Sequence, residues 1–128
     1  MIILDTHAWL WWINESTELP ASALAVIEQA DSIGISAMSC WEVAMLVGKS
    51  RIGLSMDVEI WLELALQRPK VRLLPITPQI AVLSTRLPGD FHGDPADRLI
   101  VATSLAHKST LISKDRKIQE WGYLQVIW

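Results

Sequence analysis

The sequence predicts an α/β fold, a five-stranded parallel sheet covered by helices on both faces. Three observations carry that prediction. Short apolar runs alternate with helix-like segments along the whole chain, the pattern of strands joined by crossover helices. The runs are apolar without alternation, as in Ile2-Ile3-Leu4, which is how strands buried on both faces read. A length of 128 residues suits one core, so residues 1–128 are read as one domain.

Each element follows from local chemistry. Ile2 to Leu4 is the first strand, ended abruptly by Asp5. His7 to Ile13 is apolar on nearly every side and reads as a buried helix with Thr6 as N-cap. Asn14 to Leu19 is polar and loop-like, and Pro20 fits the first turn of a helix to about Ala30. Ser32 to Met38 is the second strand, followed by a helix from Ser39, its N-cap, to about Lys49. Gly48 and Gly53 bound a loop. Asp57 caps a helix to about Arg68, with Val58, Trp61, Leu62, Ala65 and Leu66 as a wide apolar face and Glu59 and Glu63 on its wet side.

Val71 to Ile76 is the third strand, and Thr77-Pro78 opens a helix to about Leu87. After a loop from Pro88 to Gly93, Asp94-Pro95 opens a helix to about Lys108. Thr110 to Lys114 is the fourth strand, Asp115 to Trp121 a short helical turn, and Tyr123 to Ile127 the fifth strand. No repeat or linker interrupts the series.

Composition narrows the function. The chain is 51% apolar with seven tryptophans, yet no apolar run approaches the roughly 18 residues of a membrane span. No secretory signal is visible, and Cys40 is the only cysteine, so no intramolecular disulfide forms and a cytoplasmic location is expected. A net charge of −3 gives no overall attraction to nucleic acid, and any such binding has to come from local patches.

The carboxylates carry the chemistry. In a parallel sheet, strand C-termini and helix N-termini share one edge, where open α/β folds place their ligands. Asp5 ends the first strand, Asp115 follows the fourth, and Glu42 and Asp97 stand in the first turns of two helices at that edge. Asp94 is a candidate fifth. Each has a structural explanation on its own: Ser39 with Glu42 fits a capping box, Asp94 with Asp97 a similar arrangement, and Asp115 a simple cap. Together they conflict, because two carboxylates about 4 Å apart repel by roughly 4 kcal/mol at an effective dielectric near 20. The nearby bases are Arg98, Lys114, Arg116 and Lys117, free to face solvent or substrate. A hard cation resolves the conflict. Mg²⁺ or Mn²⁺ favours oxygen ligands, whereas His7, His92 and His107 lack the spacing of a zinc cluster. Such a site activates water and neutralises a phosphodiester transition state.

These residues resemble the PIN-domain nucleases, and among them the VapC-type toxins of toxin–antitoxin pairs. The matching motifs are Leu4-Asp5-Thr6-His7, then Ser39-Cys40-Trp41-Glu42-Val43-Ala44, then His92 through Ala102 (HGDPADRLIVA), then Leu111-Ile112-Ser113-Lys114-Asp115. They run in order over the whole chain. The resemblance implies a sheet in the order 3-2-1-4-5 and a metal-dependent endoribonuclease acting on RNA, with transfer or ribosomal RNA as substrate. It implies Asp5, Glu42, Asp97 and Asp115 as the acidic set, with Asp5, Asp97 and Asp115 on the metal and Glu42 reaching it through water. Asp94 matches an acid of this subgroup, and Thr6 and Ser113 match small polar residues near the site; Arg98 is an auxiliary candidate.

The resemblance also implies a small antitoxin partner. An amphipathic antitoxin segment is expected along the apolar helices at Trp9 to Ile13 and Asp57 to Arg68, presenting Arg or Lys to the acids. The tryptophan count and the resemblance together point to a homodimer. Haloacid dehalogenases and response-regulator receivers, which also carry acids near the first strand, need patterns this chain lacks. A PIN nuclease of RNA maturation without an antitoxin, or a non-catalytic RNA-binding PIN domain, stays open as an alternative.

Overall fold

Adjacent residues of the central strands point to opposite faces of the sheet, and that alternation divides the core in two. Leu4, Ile33, Ile35 and Ile112 face one side, where they meet Trp9, Ile27, Val43 and Trp61; Ile3, Leu74 and Leu111 face the other, against Ile80, Ile100 and Ile118. The computed structural model describes residues 1–128. In chain order the elements are β1 (Ile2–Leu4), α1 (Thr6–Ile13), α2 (Ala21–Gln29), β2 (Ile33–Ser36), α3 (Ala37–Gly48) and α4 (Val58–Leu66). They continue with β3 (Val71–Leu74), α5 (Pro78–Thr85), α6 (Pro95–Ala106), β4 (Thr110–Ile112), α7 (Arg116–Trp121) and β5 (Val126–Ile127).

All five strands are parallel, in the order β3-β2-β1-β4-β5. β1 is therefore central, with Ile3 paired to Gly34 on one side and Leu111 on the other. α1 to α4 supply the helical part of one core and α5 to α7 the other. Gly34 is needed at its place in β2, because a Cβ there would stand 2.6 Å from Leu74 Cδ1 and 3.0 Å from Ile3 Cγ1. No helix is long and apolar enough to cross a membrane.

Two helix starts differ from the sequence expectation, and both bear on the site. Asp5, not Thr6, is the N-cap of α1: its Oδ1 accepts from the Thr6 amide at 2.8 Å, and Thr6 is already helical. α3 is capped by Ser36, whose Oγ accepts from the Met38 amide at 3.1 Å, so the helix begins before Ser39. Two serines compete for that role, and Ser36 wins because β2 ends on it, with extended backbone angles at the turn. Ser39 is then buried inside the helix, the capping box with Glu42 does not exist, and Glu42 lies in the second turn.

Other boundaries move less. Pro20 precedes α2 rather than entering it, β3 stops before Pro75, which lacks a ladder donor, and β5 is two residues long. The caps expected at Asp57, Thr77 and Asp94 are all present. The tryptophans are used mostly within the chain: Trp9 packs edge-on against Trp61, Trp11 tilts against Trp128, and Trp12 lies under the Arg68 guanidinium.

Candidate active site

The end of β1 delivers Asp5 to the carboxyl edge of the sheet, and the neighbouring elements surround it. A cavity of about 440 Å³ there is lined by Asp5, Glu42, Asp97 and Asp115 together with His7, Trp11 and Lys114. The four acids arrive from four separate elements, as the sequence implied. Asp5 Oδ1 caps α1, and Oδ2 accepts from Ser113 Oγ at 2.7 Å. Ser113 Oγ in turn accepts from the Asp115 amide at 3.1 Å, so one hydroxyl joins the ends of β1 and β4. Asp115 Oδ1 caps α7 through the Lys117 and Ile118 amides. Thr6 Oγ1 donates to Glu42 Oε1 at 2.6 Å and pairs with Ser39 Oγ at 3.0 Å. Thr6, Ser39 and Ser113 are all buried, and they hold the carboxylates from beneath.

Burial, more than mutual repulsion, sets the charge behaviour of Asp5, Glu42 and Asp97. Desolvation is the largest cause raising Asp5, Glu42 and Asp97, with the neighbouring carboxylates adding to it. Hydrogen bonds from Ser113, Thr6 and His92 respectively pull the other way. Glu42 is pushed up to about 7. No lysine or arginine nitrogen comes within 4.0 Å of an acidic oxygen anywhere in the molecule. Lys114 lines the cavity with its ammonium over the Trp11 ring, 5.3 Å from the centroid.

The auxiliary candidates divide. Thr6 and Ser113 stand in the site. Asp94 is exposed, caps α6 through the Asp97 amide at 3.0 Å, and opens onto an adjoining groove rather than the acidic cavity. Arg98 does not face solvent or substrate: its Nε donates to the Ser84 carbonyl at 2.8 Å and its Nη1 to those of Phe91 and His92 at 3.0 and 3.2 Å. It fixes the loop before α6. That loop also carries a site residue that ligand spacing does not reveal, since His92 Nε2 lies 2.7 Å from Asp97 Oδ2. The His92 ring is also stacked on Phe91, with centroids 4.4 Å apart. Its signal was its place two residues before the Asp94 cap, close enough to fold back over the first turn of α6. His7, whose charge favours ionised Asp5, was passed over for the same lack of ligand spacing.

A family model described as PIN domain matches residues 2–122 of the 128. The chain belongs to the PIN-domain family. Its resemblance to VapC-type PIN-domain proteins holds in direct comparison. It is 40% identical over 118 residues to Ribonuclease VapC22 of Mycobacterium tuberculosis, covering 92% of this chain and 89% of the relative. Solved structures share the fold. A toxin–antitoxin complex from Klebsiella pneumoniae superposes with a TM-score of 0.73 at 21% identity, over 100% of this chain and 97% of that one. VapC20 of M. tuberculosis, described as a sarcin-ricin loop cleaving toxin, gives 0.73 at 14% identity over 98% of each chain.

The donor set of this PIN domain suits a divalent cation. One ligand atom each from His92, Asp97 and Asp115 lie within 4.8 Å of one another, and Asp5 and Glu42 line the same cavity. Carboxylates that lose water on folding, whose pKa values are raised and that have no lysine or arginine within ion-pair reach, are what such an ion would stabilise.

Proposed function

We propose that this PIN-domain protein is a metal-dependent endoribonuclease, the toxin of a toxin–antitoxin pair, working in the cytoplasm as one domain over residues 1–128. The observation that carries this reading is the convergence of Asp5, Glu42, Asp97 and Asp115 in one cavity, in a chain 40% identical to a protein named as a ribonuclease. Asp5, Asp97 and Asp115 would hold Mg²⁺ or Mn²⁺, with Glu42 reaching it through water. The ion would supply an activated water and neutralise charge building at phosphorus. The protein's own groups do the rest. Asp5 is held at both oxygens by Thr6 and Ser113, which fixes its direction. Glu42, anchored at Oε1 by Thr6, keeps Oε2 to accept a proton, and a pKa of about 7 suits a general base at neutral pH. His92 orients Asp97, as outer partners of metal ligands commonly do.

Transfer or ribosomal RNA is the substrate class this reading favours, in line with the description of VapC20. The antitoxin docks on α4, where Ile60 and Leu64 are each 52% exposed, with Met56, also exposed, lining one hollow with Leu64. α1 contributes less than its sequence suggested, since Trp9 and Leu10 are core. The antitoxin chain ends with an Arg or Lys in the acidic cavity, matching its charge. A second copy packs against β3 and α5, where Leu73 and Val82 are exposed. Mapping new RNA 5′ ends after brief induction tests the activity: discrete cuts in one RNA class are expected, and an unchanged RNA population would refute the reading. Truncating the C-terminal tail of the small protein encoded alongside should abolish inhibition.

A further inference from the structure

Beside the acidic cavity runs a second, apolar one of about 560 Å³, walled by α3, by Ile76 two residues beyond β3, and by the first turn of α6. Glu42 lines both, so the two adjoin at a single carboxylate. On α3 the stripe Met38, Trp41 and Met45 faces this groove, and Pro95 and Ala96 close it from α6. Trp41 differs from the other six tryptophans. Each of those packs on another aromatic ring or under a cation, whereas Trp41 has neither and is 58% exposed.

Resting on the ribonuclease reading, we propose that Trp41 is the stacking platform for one nucleobase of the RNA, the base adjacent to the bond that is cut. Three features select that occupant. The groove adjoins the site where the phosphodiester must lie, with Glu42 as their common wall, and a base and its own phosphate are separated by only a sugar. No lysine or arginine lines it, and its charged groups are Glu42 and Asp94, so it repels a phosphate while accepting a neutral ring. An exposed indole offers a π-face to any base, and the Asp94 carboxylate on the rim can accept hydrogen bonds from amino groups on a base edge. Adenine, guanine and cytosine carry such groups, and uracil does not.

The test uses a short single-stranded RNA spanning the sequence the wild-type protein cuts, bound to full-length protein carrying Asp5→Asn to prevent turnover. Adding Trp41→Ala should weaken binding roughly 5- to 150-fold, the usual range for one base–aromatic stack, and Trp41→Phe should restore most of it. An abasic nucleotide at one position flanking the cut should cost as much as Trp41→Ala, and combining the two should cost no more than either. Equal affinity of the Trp41→Ala protein, or losses that simply add, would overturn the assignment. So would a fall in oligomeric mass by light scattering in Trp41→Ala, which would give the groove to a second copy. If wild type cuts RNA and Trp41→Ala binds it unchanged, this inference alone fails; if wild type cuts no RNA, the ribonuclease reading fails with it.

Discussion

Thr6 Oγ1 and Glu42 Oε1 lie 2.6 Å apart, joining residues 36 positions apart in the chain and tying the first turn of α1 to the second turn of α3. The bond depends on both corrected helix starts: Thr6 is inside α1 because Asp5 caps it, and Glu42 faces inward because α3 begins before Ser39. It also opposes the burial that raises Glu42. Replacing Thr6 by Val should therefore raise the Glu42 pKa further and move the acidic limb of the pH–rate profile upward. Carboxyl-carbon NMR titration reads the first, and steady-state rates against pH the second. Stability should fall by about 1–3 kcal/mol, because Ser39 Oγ and Glu42 Oε1 both lose a partner.

The metal-free protein should lose stability as pH rises from the ordinary carboxylate range towards neutrality. Folded Glu42 titrates about 7 against an ordinary 4.5, so between those values the folded state holds the proton more tightly than the unfolded one. Its stabilising contribution is complete below 4.5 and is lost as pH climbs through 7; Asp5 and Asp97 shift in the same direction. Melting scans in EDTA should thus favour pH 5 over pH 7.5, and Glu42→Gln should flatten the slope. Mg²⁺ should stabilise wild type by binding only the folded state, and Asp5→Asn much less. Equal Mg²⁺ effects on the two proteins would place the ion elsewhere.

His92 supports Asp97 by geometry that titration calorimetry can probe. Removing an outer partner of a metal ligand commonly lowers metal affinity 10- to 100-fold, and His92→Ala should fall in about that range for Mn²⁺. Arg98→Ala should weaken Mn²⁺ binding as well, by releasing the carbonyls of Phe91 and His92.

In the sheet, Gly34→Ala should cost about 1–3 kcal/mol by overpacking, because its Cβ would meet Leu74 and Ile3 at the centre of the fold. Chemical denaturation measures this directly, and a neutral result would show that Leu74 moves aside freely.

The fold was legible because its signals are local and repeated. Each apolar run ended in a cap or a turn, and Asp57, Thr77 and Asp94 were readable from their side chains alone. The four principal acids were legible because topology fixes which ends share an edge. What failed were choices between adjacent, chemically similar residues. Ser36 and Ser39 both suit a helix start, and Asp5 and Thr6 both cap; tertiary contacts, not intrinsic preference, decided between them. His92 and Arg98 were misjudged for a related reason. Their roles arise from a loop folding back on α6, and hydrophobic periodicity carries no information about such a fold. The largest cause of the raised carboxylates, burial, was likewise hidden, since spacing reveals neighbouring charges but not the loss of water.

The most direct test of the central claim compares purified wild type, Asp5→Asn and Glu42→Gln on cellular RNA, in EDTA and with Mg²⁺ or Mn²⁺ restored. Cleavage by wild type is expected only with metal, with a fall of roughly 100- to 10,000-fold for Glu42→Gln, near-complete loss for Asp5→Asn, and all three proteins folded. Full activity of the Asp5→Asn protein, or cleavage by wild type undiminished in EDTA, would contradict it.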